Sequence, residues 1–63
     1  MGASIHDFRM VQGPTHTNLI FDVVVPYGVK ESDEQVKEKI SKMVQIIDET
    51  YFTVINIDRL YIN

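Results

Sequence analysis

Leu19-Ile20-Phe21-Asp22-Val23-Val24-Val25, closed by Pro26, decides how this chain folds. Six of its seven residues are apolar, and three consecutive positions are Val. β-Branched and aromatic residues fit a pleated, packed surface, so the stretch reads as a strand. Leu19, Phe21, Val23 and Val25 fall on one face and Ile20 and Val24 on the other; only Asp22 interrupts. A strand apolar on both sides is expected at the centre of a sheet and covered on both faces.

Working outward, Ile5–Val11 (IHDFRMV) alternates, with His6, Phe8 and Met10 set against Ile5, Asp7 and Arg9. That pattern predicts a half-buried strand. Gly13-Pro14 begins a loop, and the short connection predicts an antiparallel hairpin onto the central strand. Such a hairpin could bring Arg9 to Asp22. Pro26-Tyr27-Gly28 stops the central strand, because Pro donates no ladder hydrogen bond and Gly permits a turn.

Ser32 with Gln35 forms a capping box, and Glu31, Asp33 and Glu34 suit the positive end of a helix dipole. Val36, Ile40, Met43, Val44 and Ile47 recur at helical spacing, so a helix is predicted over Asp33–Asp48. Asp33 with Lys37 and Glu38 with Lys42 are four apart in the favourable order. Phe52–Tyr61 (FTVINIDRLY) alternates again and predicts a last strand. Strand, helix, strand in succession asks for a right-handed crossover between parallel strands.

The expectation is therefore an α+β domain, β-β-α-β, with a three-stranded mixed sheet and one helix. The simplest strand order is first, central, last; the order with the first strand in the middle is also open. Ile20, Val24, Ile55 and Ile57 are expected under the helix. Phe8, Met10, Leu19, Phe21, Val23 and Val54 are expected on the opposite face. An uncovered apolar face of that size marks an interaction site, for a further helix or a second subunit.

With 63 residues there is one domain at most, and a chain this short is marginal alone. It has no cysteine, so neither disulfides nor a thiolate zinc site can staple it. The net charge of −3 argues against nucleic acid, which needs a basic stripe. No apolar run approaches the roughly 20 residues of a membrane span. Met1–Ser4 (MGAS) is set aside from the fold, and residues 5–63 read as a single domain cut from a larger protein.

No nucleophile–base arrangement and no phosphate-binding glycine loop is present, so an enzyme is not expected. The paired carboxylates Asp33-Glu34 and Asp48-Glu49 read as solvated helix ends. His16 reads as a loop histidine. The remaining chemistry is metal binding: His6, Asn56 and Asp58 share the parity that faces away from the helix, and imidazole with carboxylate suits a borderline metal.

The runs Ile5-His6-Asp7-Phe8-Arg9, Gly13-Pro14-Thr15, Val23-Val24-Val25 and Val54-Ile55-Asn56-Ile57-Asp58-Arg59, with the amphipathic helix between the last two, resemble the C-terminal cytoplasmic domain of cation diffusion facilitator transporters. The resemblance spans Ile5–Tyr61. It implies a small ferredoxin-like, metallochaperone-like fold whose family first helix is absent here. It also implies a homodimer on the cytoplasmic side of a membrane, below a transport domain in the same chain. His6 and Asp58 match family metal ligands for zinc or another divalent cation. Phe21 and Asn56 stand where many members carry histidines, so binding is expected to be weak. The interface is expected to use Phe8, Met10, Phe21 and Val23. The alternative is a free-standing small ligand- or metal-binding module.

Overall fold

The computed structural model describes residues 2–60. Strand β1 (Ser4–Gln12) and strand β2 (Thr17–Val25) form a hairpin; helix α1 (Asp33–Ile47) follows, and strand β3 (Tyr51–Arg59) ends the fold. The sheet order is β1-β2-β3, antiparallel between β1 and β2 and parallel between β2 and β3. The mixed three-stranded sheet with one helix, expected from the sequence, is thus the fold. Strand β1 opens one residue earlier than the alternation predicted, at Ser4, and Ala3 packs against the core. Strand β3 runs Tyr51–Arg59 rather than Phe52–Tyr61; Tyr61 lies outside the described residues.

The helix covers the other face of β2 from the one the sequence suggested. Leu19, Phe21, Val23 and Val25 are buried, together with Val36 of α1 and Ile55 of β3. In the parallel register Phe21 stands beside Ile55 and Val23 beside Ile57, and residues side by side share a face. Ile55 and Ile57 are therefore under the helix, as expected, whereas Ile20 and Val24 lie on the far side, half-buried. The reason is Asp22. It has the parity of Ile20 and Val24, and desolvating a carboxylate under a helix would cost far more than the two apolar residues return.

Helix α1 begins as the capping box requires. Ser32 Oγ accepts from the Gln35 amide at 3.2 Å, and Gln35 Oε1 accepts from the Ser32 amide at 2.8 Å. Asp48 closes the helix as C-cap, its amide donating to the Val44 carbonyl. Val36 is the fully buried residue of the helix; Ile40 and Val44 continue its stripe onto the core. Glu38 and Lys42 pair at 2.9 Å, as their spacing predicts. Asp33 does not pair with Lys37. It accepts from Arg59 Nε at 2.6 Å, and Lys37 lies 3.9 Å from Glu34 instead.

Arg59, an ordinary strand-end charge in sequence, fastens the crossover. It sits on the helix face at the end of β3, paired with Val25 in the ladder. Its guanidinium donates to Asp33, to the Val29 carbonyl at 3.3 Å and to the Glu31 carbonyl. One side chain thereby satisfies carbonyls of the segment before α1 and the first carboxylate of the helix. Gly28, in the same segment, adopts φ +90°, where a side chain would be strained. In the hairpin loop Gly13 donates to the His16 carbonyl, and an added Cβ at Gly13 would meet that oxygen at 2.9 Å.

Replacing Arg59 with Met keeps most of the side-chain bulk and removes the three donors. With Asp33 half exposed, a loss of about 1–2 kcal/mol is expected in urea unfolding, from hydrogen bonds to a charged group. At the other end of α1, the Asp48 carboxylate accepts from the Thr50 hydroxyl at 2.7 Å and its amide at 2.9 Å. These bonds hold the Asp48 carboxyl below its ordinary range, the hydroxyl contributing most. A depressed carboxylate stabilises the fold above its unfolded pKa, and that contribution disappears as pH falls through the folded value. The urea midpoint of the wild type should therefore exceed that of Asp48→Ala at neutral pH. The gap should narrow as pH falls below the normal aspartate range.

Candidate interaction surfaces

Strand β1 positions both candidate surfaces, because it is the edge strand away from the helix. All nine of its residues are exposed, and the helix lies over the β3 side of the sheet. Its sequence alternates regularly, but its backbone does not. Asp7 takes φ 54°, and the pairing with β2 slips between His6 and Arg9. Two residues, Asp7 and Phe8, occupy the room of one, which is a β-bulge. Asp tolerates this left-handed conformation better than most residues.

The bulge re-sorts β1. Ser4 and His6 pair with Val24 and Asp22, and Arg9 and Val11 pair with Ile20 and Asn18; these four belong to the open face, away from the helix. Ile5 and Met10 pair with Val23 and Leu19 on the helix side. Phe8 joins them, its ring stacked on Phe21 with centroids 6.0 Å apart. The regular alternation grouped His6 with Phe8 and Met10; the extra residue separates them.

The open face is polar at its centre. His6, Asp22 and Asn56 form one row across the three strands. Asn56 Nδ2 donates to Asp22 Oδ1 at 3.3 Å, so Asp22 is engaged by Asn56 rather than by Arg9. Asp7, Phe8, Arg9, Ile20, Asp22 and Asn56 line a shallow depression at the bulge. Exposed Phe52 and Val54 flank the row, and the Phe52 ring lies 4.8 Å from that of His16.

His6 and Asp58, the expected metal ligands, share this face but are not brought together. Asp58 pairs with Val24, and Val24 with Ser4, so Asp58 is offset from His6 along the strands as well as across them. Two strand spacings make roughly 10 Å, and two residues along a strand add about 7 Å in the perpendicular direction. One ion cannot touch both in a single chain. The His6 ring nitrogen Nε2 is within hydrogen-bond distance of Ser4 Oγ, at 3.0 Å. Among the described residues no three His, Asp or Glu side chains are grouped closely enough to hold a metal.

The expected interface residues divide between core and surface. Phe21 and Val23 are buried beneath the helix side, at 4% and 1% exposure. Phe8 and Met10 are more than half exposed on that same side; Val54, expected on one face with them, lies on the open side instead. Uncovered apolar surface therefore lies on both sides of the sheet: Val11, Phe52 and Val54 on the open face, and on the helix side a trough beside the helix. Its floor is Ile5, Phe8 and Met10. With the right-handed crossover that strand–helix–strand units take, the helix flank carrying Met43 and Ile47 turns toward β1 and forms its wall. Met43 and Ile47 are 64% and 79% exposed, although their spacing matches the buried stripe. They belong to the stripe in sequence, but the sheet beneath them is the bare half.

Compared with known proteins, the chain matches no family model, no curated protein and no solved structure. Among the described residues, no helix is long and apolar enough to cross a membrane.

The bulge is testable by itself. Asp7→Gly should leave stability unchanged or raise it slightly, since Gly accepts φ 54° freely. Asp7→Val should cost about 1–2 kcal/mol in urea unfolding, because a β-branched residue is strained there. Its amide spectrum should change along β1 while α1 is unaffected.

Proposed function

We propose that this chain is the cytoplasmic, dimerising and regulatory domain of a cation diffusion facilitator-type exporter of zinc-like divalent cations. The observation that carries the reading is the run of sequence motifs: His6-Asp7-Phe8-Arg9, Gly13-Pro14 and the Ile55-Asn56-Ile57-Asp58-Arg59 strand. The β-β-α-β order supports it, being the arrangement that resemblance implies once its first helix is removed. His6, Asn56 and Asp58 on one uncovered face support it as well. In this reading the transport machinery lies in a membrane domain of the full-length protein, and the exported ion is cargo rather than a resident cofactor.

His6 and Asp58 of one chain cannot share an ion, so a regulatory cation would be held between two copies, each giving part of the shell. Its effect would be a population shift. A cation that binds one mutual arrangement of two domains better than another favours that arrangement by its differential affinity. With Phe21 buried in the core and Asn56 bonded to Asp22, few ligands remain, and the affinity is expected to be low.

A zinc titration followed by amide spectra and sedimentation tests the reading. Zinc should shift resonances around His6 and Asp58 and change the sedimentation of the wild type. His6→Ala should weaken the response at least tenfold. Equal responses of the two proteins would remove His6, and with it the metal-regulated reading.

A further inference from the structure

We infer that the depression at the β1 bulge binds a small zwitterion of the α-amino acid class, its carboxylate on Arg9 and its ammonium on Asp22. The inference goes beyond the proposed reading and does not rest on it, since it uses neither His6 nor Asp58.

The bulge builds the depression. In a regular strand Arg9 would share the helix side with Ile5; the extra residue carries it to the open face, opposite Ile20. Bulges often re-aim a side chain in this way beside functional sites. The result is a hollow of about 580 Å³ lined by Asp7, Phe8, Arg9, Ile20, Asp22 and Asn56. Small-molecule sites commonly span roughly 300–1,000 Å³ and carry a few convergent polar groups.

Charge decides what fits. Arg9 and Asp22 are diagonal neighbours across β1 and β2, about 7–8 Å apart. Opposite charges so placed could close on each other, yet they do not. Among the described residues the ion pairs are Lys37–Glu34, Lys39–Glu31, Lys42–Glu38 and Arg59–Asp33, and Arg9 has no carboxylate partner. Asn56 occupies Oδ1 of Asp22, which leaves Oδ2 to accept. The hollow therefore has a guanidinium fork at one end and a carboxylate oxygen at the other. The fork can hold a carboxylate by two parallel hydrogen bonds. An ammonium has three donors, and Asp22 Oδ2, Asn56 Oδ1 and the Asp7 carboxylate are three acceptors on the same lining.

Simpler ions match only half of this. A lone anion would meet Asp7 and Asp22, and a lone cation would meet Arg9. Between the charges the lining is apolar: Ile20, half-buried, with Val54 beside it on β3. That strip suits an aliphatic side chain, so L-leucine is the probe.

Amide spectra of the chain titrated with L-leucine, in buffer containing chelator, test the inference. A ligand this small at an open site should bind with a dissociation constant in the millimolar range. Shifts should concentrate at Arg9, Ile20, Asp22, Val54 and Asn56. N-acetyl-leucine lacks the ammonium and leucine amide lacks the carboxylate, so each should bind at least tenfold more weakly. These analogues test both charges without touching the fold, and they also stand for the two ends of a peptide. Arg9→Met and Asp22→Asn should each weaken leucine binding at least tenfold with the helical circular dichroism signal kept, and Lys42→Met should leave it unchanged. No shift up to the solubility limit of leucine overturns the inference. So does either analogue binding as well as leucine, or full binding by Arg9→Met or Asp22→Asn. The two proposals fail separately: a chain that binds leucine under chelator and ignores zinc keeps this site and loses metal regulation, and the opposite result does the reverse.

Discussion

The structure depends on one asymmetry in β2, the single carboxylate of Asp22. Strand β2 is the only strand paired on both edges, so whichever of its faces receives the helix fixes the core. Both faces carry enough apolar side chains to be candidates. Asp22 decides between them, since a charge under a helix would lose its hydration without a matching cation. The helix therefore settles on Leu19, Phe21, Val23 and Val25, and Asp22 remains where Asn56 and solvent can reach it. Thr17 and Ile55 are buried with that face, and Arg59 ends up beside Asp33. That last contact ties the end of β3 to the start of the helix and fixes the crossover.

The second constraint is local. One residue in the left-handed region, Asp7, turns a regular two-residue repeat into a bulge. Without it His6 and Phe8 would share a face. With it His6 joins Asp22 in a polar row, while Phe8 stacks on Phe21. The separation of a polar open face from an apolar trough rests on that single backbone conformation.

Element order, the capping box at Ser32, the hairpin and the parallel crossover were legible because each has a local chemical signature. The face of β2 that receives the helix is the reverse of the expected one, although the parity of Asp22 with Ile20 and Val24 marks the solvated side. The bulge left no such signal, since Ile-His-Asp-Phe-Arg alternates well and Asp7 is only modestly better than other residues at positive φ. Arg59 reads as an ordinary strand-end charge until Asp33, Val29 and Glu31 are brought to it across the crossover. The spacing places Met43 and Ile47 in the apolar stripe of the helix, yet both are exposed. Spacing gives the stripe of a helix but not the width of the sheet below it, and here the sheet under that flank is bare.

That bareness bounds what can occupy the trough. A three-stranded sheet is about 15 Å wide, and one helix of about 10 Å diameter leaves roughly a strand's width uncovered beside it. The surface of α1 turned away from the sheet carries Gln35, Glu38, Lys39 and Lys42. Laying such a charged ridge on Phe8 and Met10 would bury charges against apolar floor, which is unfavourable. The apolar surfaces left bare beside the helix are the β1 floor and the Met43–Ile47 flank. The charged ridge lies in water on the outside of the helix, and the polar row of His6, Asp22 and Asn56 lies on the reverse of the sheet. The apolar trough and the polar row are thus separate surfaces in this fold: each lies on a different side of the same exposed strand.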